Sequence, residues 1–224
     1  INYNTTLKLK QSQIFMNLKF TKEACVDSID NAISVEKNGA DQIELCSRLD
    51  LDGLTPSKKL ILQTIRKVSI PIKVMIRSRP GNFTYNQNDV NTMLDSIKFC
   101  QKNGINEIAF GALNSNRKID EKIINQIVSK YIGLNITFHK AIDLVDNQIN
   151  EIQKLLKFNQ IKAVLTSGGQ KNAIDGQENI KKLFERFKDE IDIIAAGSIT
   201  NKNIKKIHKT LGLKIYHGKK IVDS

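Results

Sequence analysis

Tryptophan is missing from this 224-residue sequence, and cysteine, proline, methionine and histidine occur three times each. Three cysteines cannot close a complete disulfide framework, so a reducing cytoplasm is the default setting. Three prolines, with no Pro- or Ser-rich stretch, leave no hinge between two domains. No run of about 18 apolar residues occurs, which excludes a transmembrane helix, and no membrane partner is expected. The opening INYNTTLKLKQSQIF has no apolar core before a small-residue cleavage site, which argues against a secretory signal. Met16 stands just before the first strand-like run. Residues 1–16 are therefore expected to be a loosely ordered extension, and residues 17–224 a single domain.

Arginine is scarce as well. The formal net charge is +12, yet only Arg48, Arg66, Arg77, Arg79, Arg117 and Arg186 contribute guanidinium groups to the 35 basic residues. The lysines scatter over predicted helix surfaces, whereas phosphate-backbone binding calls for a concentrated basic stripe. The denser patches, Lys202–Lys209 and Lys214–Lys220, come without an aromatic stacking platform and are expected to lie away from any site, so no nucleic-acid partner is expected. GxGxxG, GxxxxGK[ST], HExxH, GxSxG and CxxC are all absent, which argues against a standard nucleotide-binding or zinc-protease scheme.

A two-stroke rhythm fills the rest of the chain. Eight short apolar runs read as strands: Leu18–Ala24, Gln42–Leu45, Ile72–Ile76, Glu107–Phe110, Asn135–Phe138, Ala163–Leu165, Asp192–Ala195 and Lys214–Tyr216. Between them lie amphipathic stretches with helical spacing, such as Val90, Met93, Leu94, Ile97 and Cys100. Asp27, Ser57, Asp120 and Asn201 are suited to start helices, and Asn38-Gly39 and Asn103-Gly104 to end them. Strand–helix alternation repeated eight times predicts right-handed crossovers and an α/β fold. The reading is a single, compact (β/α)8 TIM barrel with a short or missing last helix; an open doubly wound sheet is the rival.

In such a barrel, functional groups collect at the C-terminal ends of the strands. Those ends carry Glu23 and Cys25, Glu44 and Cys46, Arg77 and Arg79, His139, Thr166-Ser167-Gly168-Gly169, Gly197 and His217. Residues i and i+2 of a strand share a face, so Glu23 pairs with Cys25 and Glu44 with Cys46 on neighbouring strands about 4.8 Å apart. The two thiols can converge, and a pair of soft thiolates suits Cu(I); packing as small buried hydrophobes is the alternative. Arg77 and Arg79, with the glycine-bearing loop, suggest a small anionic ligand; alternatively Arg77 pairs with Glu44 or Glu23. Glu44 or His139 could act as a catalytic base. Asp143 could turn back to accept the His139 Nδ1–H and raise its pKa, or cap the next helix instead. Cys100 reads as core and His208 as surface.

The segments EACVDSIDNA, GADQIELCSRLDLDGLTPS, PIKVMIRSRPGNFTYN, ITFHKAID and VLTSGG closely resemble the CutC family, described as copper-homeostasis proteins, from about Leu18 to about His217. The resemblance implies a TIM barrel in the cytoplasm, a homo-oligomer (dimer or tetramer), and copper as Cu(I) held at Cys25 and Cys46. It also implies a barrel mouth resembling that of an enzyme, for which Glu44, His139 and Asp143 are the catalytic candidates. Glu23, Arg77, Arg79, Thr166, Ser167, Gly168, Gly197 and His217 are the candidates for binding a small anionic ligand. The chain departs from the family pattern at Pro80, Asn82, Lys140 and the Ala196-Gly197-Ser198 turn.

Overall fold

A computed structural model describes residues 20–223, so the expected extension over residues 1–16 lies outside the described residues. The elements alternate strictly: β1 (Thr21–Val26), α1 (Ile29–Lys37), β2 (Gln42–Leu45), α2 (Lys58–Lys67), β3 (Ile72–Met75), α3 (Gln87–Lys102), β4 (Glu107–Phe110), α4 (Glu121–Lys130), β5 (Asn135–Phe138), α5 (Gln148–Leu155), β6 (Ile161–Thr166), α6 (Gln177–Phe187), β7 (Asp192–Ala195), α7 (Ile204–Leu211) and β8 (Ile215–Gly218). All strands pair in parallel, in order, and β8 returns to β1 through Thr21↔Ile215 and Glu23↔His217, closing the barrel. The open-sheet alternative is thereby removed. No helix follows β8 among the described residues, as the sequence led one to expect.

Helix starts follow local polar chemistry. Ser57 accepts the Leu60 N–H and Asp120 accepts those of Lys122 and Ile123. Two expected starters are displaced. Ser28, not Asp27, caps α1 by accepting the Asn31 N–H, and α7 begins after Asn203, whose side chain accepts the Thr200 N–H. α3 starts at Gln87, where Asn86 and Asp89 form a reciprocal capping box, so Asp89 is the third residue of the helix.

The strands read as near-continuous apolar runs because their outward face is buried against the helices. Ala24, Val26, Ile43, Leu45, Val74, Ile108, Phe110, Ile136, Phe138 and Tyr216 join the helix stripes in one main core. The inward face is divided. Cys25, Cys46, Met75 and Ala109 form a separate cluster across the β1–β4 side, and Ala163, Leu165, Ile194 and Ala196 form another across β6 and β7. Between and beneath them, Glu23, Glu44, Lys73 and Thr137 are all buried. Barrel interiors are ordinarily filled by branched aliphatic side chains, so this much buried charge makes the interior the candidate site.

Candidate functional site

Glu23 is fully buried inside the barrel. Its strand register places it beside Gln42 on β2 and His217 on β8. The carboxylate accepts from Gln42 Nε2 at 2.6 Å and Lys73 Nζ at 2.5 Å, and its other oxygen lies 2.8 Å from His217 Nδ1. Burial alone would push this carboxyl up, but Lys73 and His217 outweigh it and hold the pKa at about 2, so Glu23 is an anion. Burial works against the His217 imidazolium, yet the Glu44 and Glu23 carboxylates win and raise its pKa. The Nε2 of His217 lies 3.9 Å from Glu44 Oε1. Glu44 itself is pushed up by burial, only partly countered by His217 and Lys73, and its Oε2 has no partner.

Above this layer sit the thiols. Cys25 and Cys46 are free and buried, with their sulfurs 3.6 Å apart. The Cys25 Sγ–H also lies 3.6 Å from Glu44 Oε1, and Cys46 donates to the Val26 carbonyl at 3.3 Å. The Cys46 hydrogen bond, burial and the Glu44 carboxylate together raise the Cys25 pKa well above its usual value. Donor atoms of Cys25, Glu44 and His217 all lie within 4.8 Å of one another, a spacing that could hold a metal ion. Cys100 is in the main core on α3.

The opposite wall is built on Asp143, and here two expectations are corrected. Asp143 does not meet His139. The short 3-10 turn Lys140–Leu144 carries it toward the loop after β6, where it accepts from Thr166 Oγ1, from Ser167 N–H and Oγ–H, from Gly169 N–H and from Gln148 Nε2. His139 Nδ1 instead accepts the Ala141 N–H at 3.2 Å, capping that turn. Its pKa is not raised by a carboxylate. Burial and the neighbouring Arg77 charge lower it to about 3, so the ring is neutral and carries its proton on Nε2, which has no partner. Gly111 leaves room for the ring, since a Cβ there would stand 2.6 Å from Nδ1.

The arginines also differ from expectation. β3 ends at Met75, so alternation no longer governs Arg77 and Arg79. Arg77 pairs with neither Glu23 nor Glu44; it donates to the carbonyls of Leu51, Gly53 and Gly81 and lies over the Phe83 ring. Arg79 turns away to Asp89, Asn82 and Thr84 and holds its own loop. Gly168 and Gly197 have φ of +72° and +99°, and they serve chain-to-chain approach: a Cβ on Gly168 would stand 2.4 Å from the Gly176 carbonyl, and one on Gly197 2.9 Å from Asn172 Cα.

A cavity of about 890 Å³ opens at the C-terminal mouth. Cys25, Glu44 and His217 line one side, His139, Asp143 and Ser167 the other, with Arg77 and Gly197 at the edge. Glu23, Cys46, Thr166 and Gly168 are buried and do not line it, and neither does Arg79, which faces its own loop. Lys219 and Lys220, expected to lie apart from the mouth, are on its rim with Lys140 and Lys171. Sequence reasoning missed Lys73, Gln42, Gln148 and Met75. Lys73 carried a usable signal, a lone charge inside the apolar run Ile72–Ile76.

A buried neutral imidazole has a thermodynamic signature. The unfolded chain takes up a proton at the ordinary His pKa of 6.5, whereas folded His139 refuses it down to about 3. Stability therefore falls as pH drops through that window, by up to about 1.4 kcal/mol per pH unit from this group. Glu23, folded at about 2 against an ordinary 4.5, adds a loss that sets in about a unit above pH 4.5 and continues downward, equally in parent and variant. Urea unfolding of the parent and of His139→Gln between pH 4.5 and 6.5 should show a shallower pH dependence in the variant. Equal slopes would contradict a neutral, buried His139.

Residues 20–222 match the CutC family model. The chain is 35% identical over 198 residues to the human copper homeostasis protein cutC homolog, covering 88% of this chain and 72% of the relative. It is 34% identical over 195 residues to family protein CutC of Pasteurella multocida, covering 87% and 80%. The crystal structure of a CutC protein from Streptococcus agalactiae superposes with a TM-score of 0.85 at 29% identity, covering 91% of this chain and all of that one. The same closed barrel, the extent of the family match and the identity to curated relatives agree: the chain belongs to the CutC family.

Proposed function

We propose that this protein binds Cu(I) as cargo in a reducing cytoplasm, through Cys25 and Cys46, and serves copper homeostasis. The observation that carries this reading is the 3.6 Å separation of two buried, free thiol sulfurs on adjacent strands. Soft thiolates select Cu(I) over the harder divalent ions, and a buried pair keeps the ion from water and from oxidation. The human and mouse relatives carry copper homeostasis in their names, which supports the same reading. Anaerobic titration of the reduced protein with Cu(I), in competition with a chromogenic chelator, should give one equivalent bound. The Cys25→Ser, Cys46→Ser double variant should lose it. A double variant that binds as tightly as the parent would sink the reading.

A second reading is supported by a different observation. Glu44 Oε2 and His139 Nε2 are buried polar atoms without partners, and their residues face one cavity under a rim of four lysines. Unpartnered buried polar atoms are costly, and a ligand that supplies both an acceptor and a donor offsets that cost. This favours an enzyme acting on a small anionic metabolite, with neutral His139 donating to a ligand oxygen. A thermal-shift screen of phosphorylated and carboxylate metabolites tests it, because a ligand at 100 times its Kd adds about 2.7 kcal/mol of stability. The expected hit raises Tm in the parent and less in His139→Phe. No hit, or a hit indifferent to that substitution, counts against it.

A further inference from the structure

We infer that Met75 is the third sulfur ligand of the Cu(I) site; this rests on the proposed binding of Cu(I) by Cys25 and Cys46. Met75 is the last residue of β3 and is buried on the inward face, next along the barrel from the strands that supply the two cysteines. It packs with Cys25, Cys46 and Ala109 in a cluster set apart from the main core, and it lines the mouth cavity beside Cys25. Gly53 locates the end of its side chain. A Cβ at that position would stand 3.6 Å from the Cys46 sulfur and 3.7 Å from the Met75 methyl. The thioether end of Met75 and the Cys46 sulfur thus flank the same point.

The chemistry selects this side of the mouth. A thioether is a soft donor that favours Cu(I), and it carries no proton to lose on binding. Two thiolates and Cu(I) already leave one net negative charge in a buried place beside Glu44 and Glu23. A thioether completes the coordination without adding charge, whereas a carboxylate ligand would add a second. The competing set around Cys25, formed with Glu44 and His217, supplies one sulfur, a hard carboxylate oxygen and an imidazole nitrogen, a harder set than three sulfurs. Ala109, next to Met75 across β4, offers no donor and keeps the pocket small.

The test is X-ray absorption of the reduced full chain, labelled with selenomethionine and loaded with one equivalent of Cu(I). There are only three methionines; Met93 lies on α3 in the main core and Met16 outside the described residues. The expected spectrum shows a selenium neighbour of copper in the parent and in Met93→Leu, and none in Met75→Leu. Competition with the chelator should find Cu(I) held at least about tenfold more weakly by Met75→Leu, a change of similar size and apolarity, with its circular dichroism and Tm close to the parent. Copper bound to sulfur with no selenium neighbour, or a selenium neighbour that persists in Met75→Leu, overturns the inference and leaves the cysteine reading standing. Failure of the parent to bind Cu(I) overturns both.

Discussion

One buried carboxylate, Glu23, organises the mouth of this barrel. A carboxylate in the protein interior is tolerated only when its charge and lone pairs are met, and here Gln42, Lys73 and His217 meet them from three different strands. Each partner is then fixed in turn. His217, held at Nδ1, presents Nε2 toward Glu44, and Glu44 stands against Cys25, whose sulfur faces Cys46. The sequence of contacts runs from the centre of the barrel to the thiols at its mouth. Burial is what makes the chain of groups rigid, because a rotation of one member costs its neighbour a hydrogen bond that water cannot replace.

The two walls of the mouth have separate origins. The β1–β4 side is soft and ionic. The β5–β7 side depends on Asp143, which spends its oxygens on the loop after β6 and on Gln148 of α5. That bonding fixes Ser167 and Gly169 at the cavity edge and leaves His139 without a carboxylate. A neutral imidazole with a free Nε2–H is the outcome, which suits a donor to a ligand oxygen better than a base.

How far the sequence reveals this site depends on where the backbone is regular. Inside the strands the period of two is strict, so residue spacing alone puts Glu23 with Cys25 and Glu44 with Cys46 on shared faces. The thiols converge for that reason. The register also brings His217 to Glu23, but only closure of the barrel, a contact across 194 residues, makes them neighbours. Past the last strand residue the rule lapses. Arg77 and Arg79 diverge, and the turn at Lys140–Leu144 sends Asp143 away from His139, because loop paths are set by local hydrogen bonds that spacing does not encode. Lys73 is hidden by the apolar residues around it, and Met75 by its likeness to ordinary core. The resemblance to CutC segments supplies the fold and the copper expectation at once, but not these geometric particulars.

If the Glu23–Lys73 ion pair is there for the site rather than for stability, removing it separates the two. Buried pairs are often replaceable by apolar residues without loss of stability, while removing one partner costs about 3–5 kcal/mol. Urea unfolding and Cu(I) competition on Lys73→Met and on Glu23→Leu, Lys73→Met measure this directly. The single variant should be strongly destabilised. The double variant should recover most of that stability, yet bind Cu(I) at least about tenfold more weakly, because His217 and Glu44 lose the anchor that holds them around Cys25. A double variant that folds and binds Cu(I) as tightly as the parent would contradict the account.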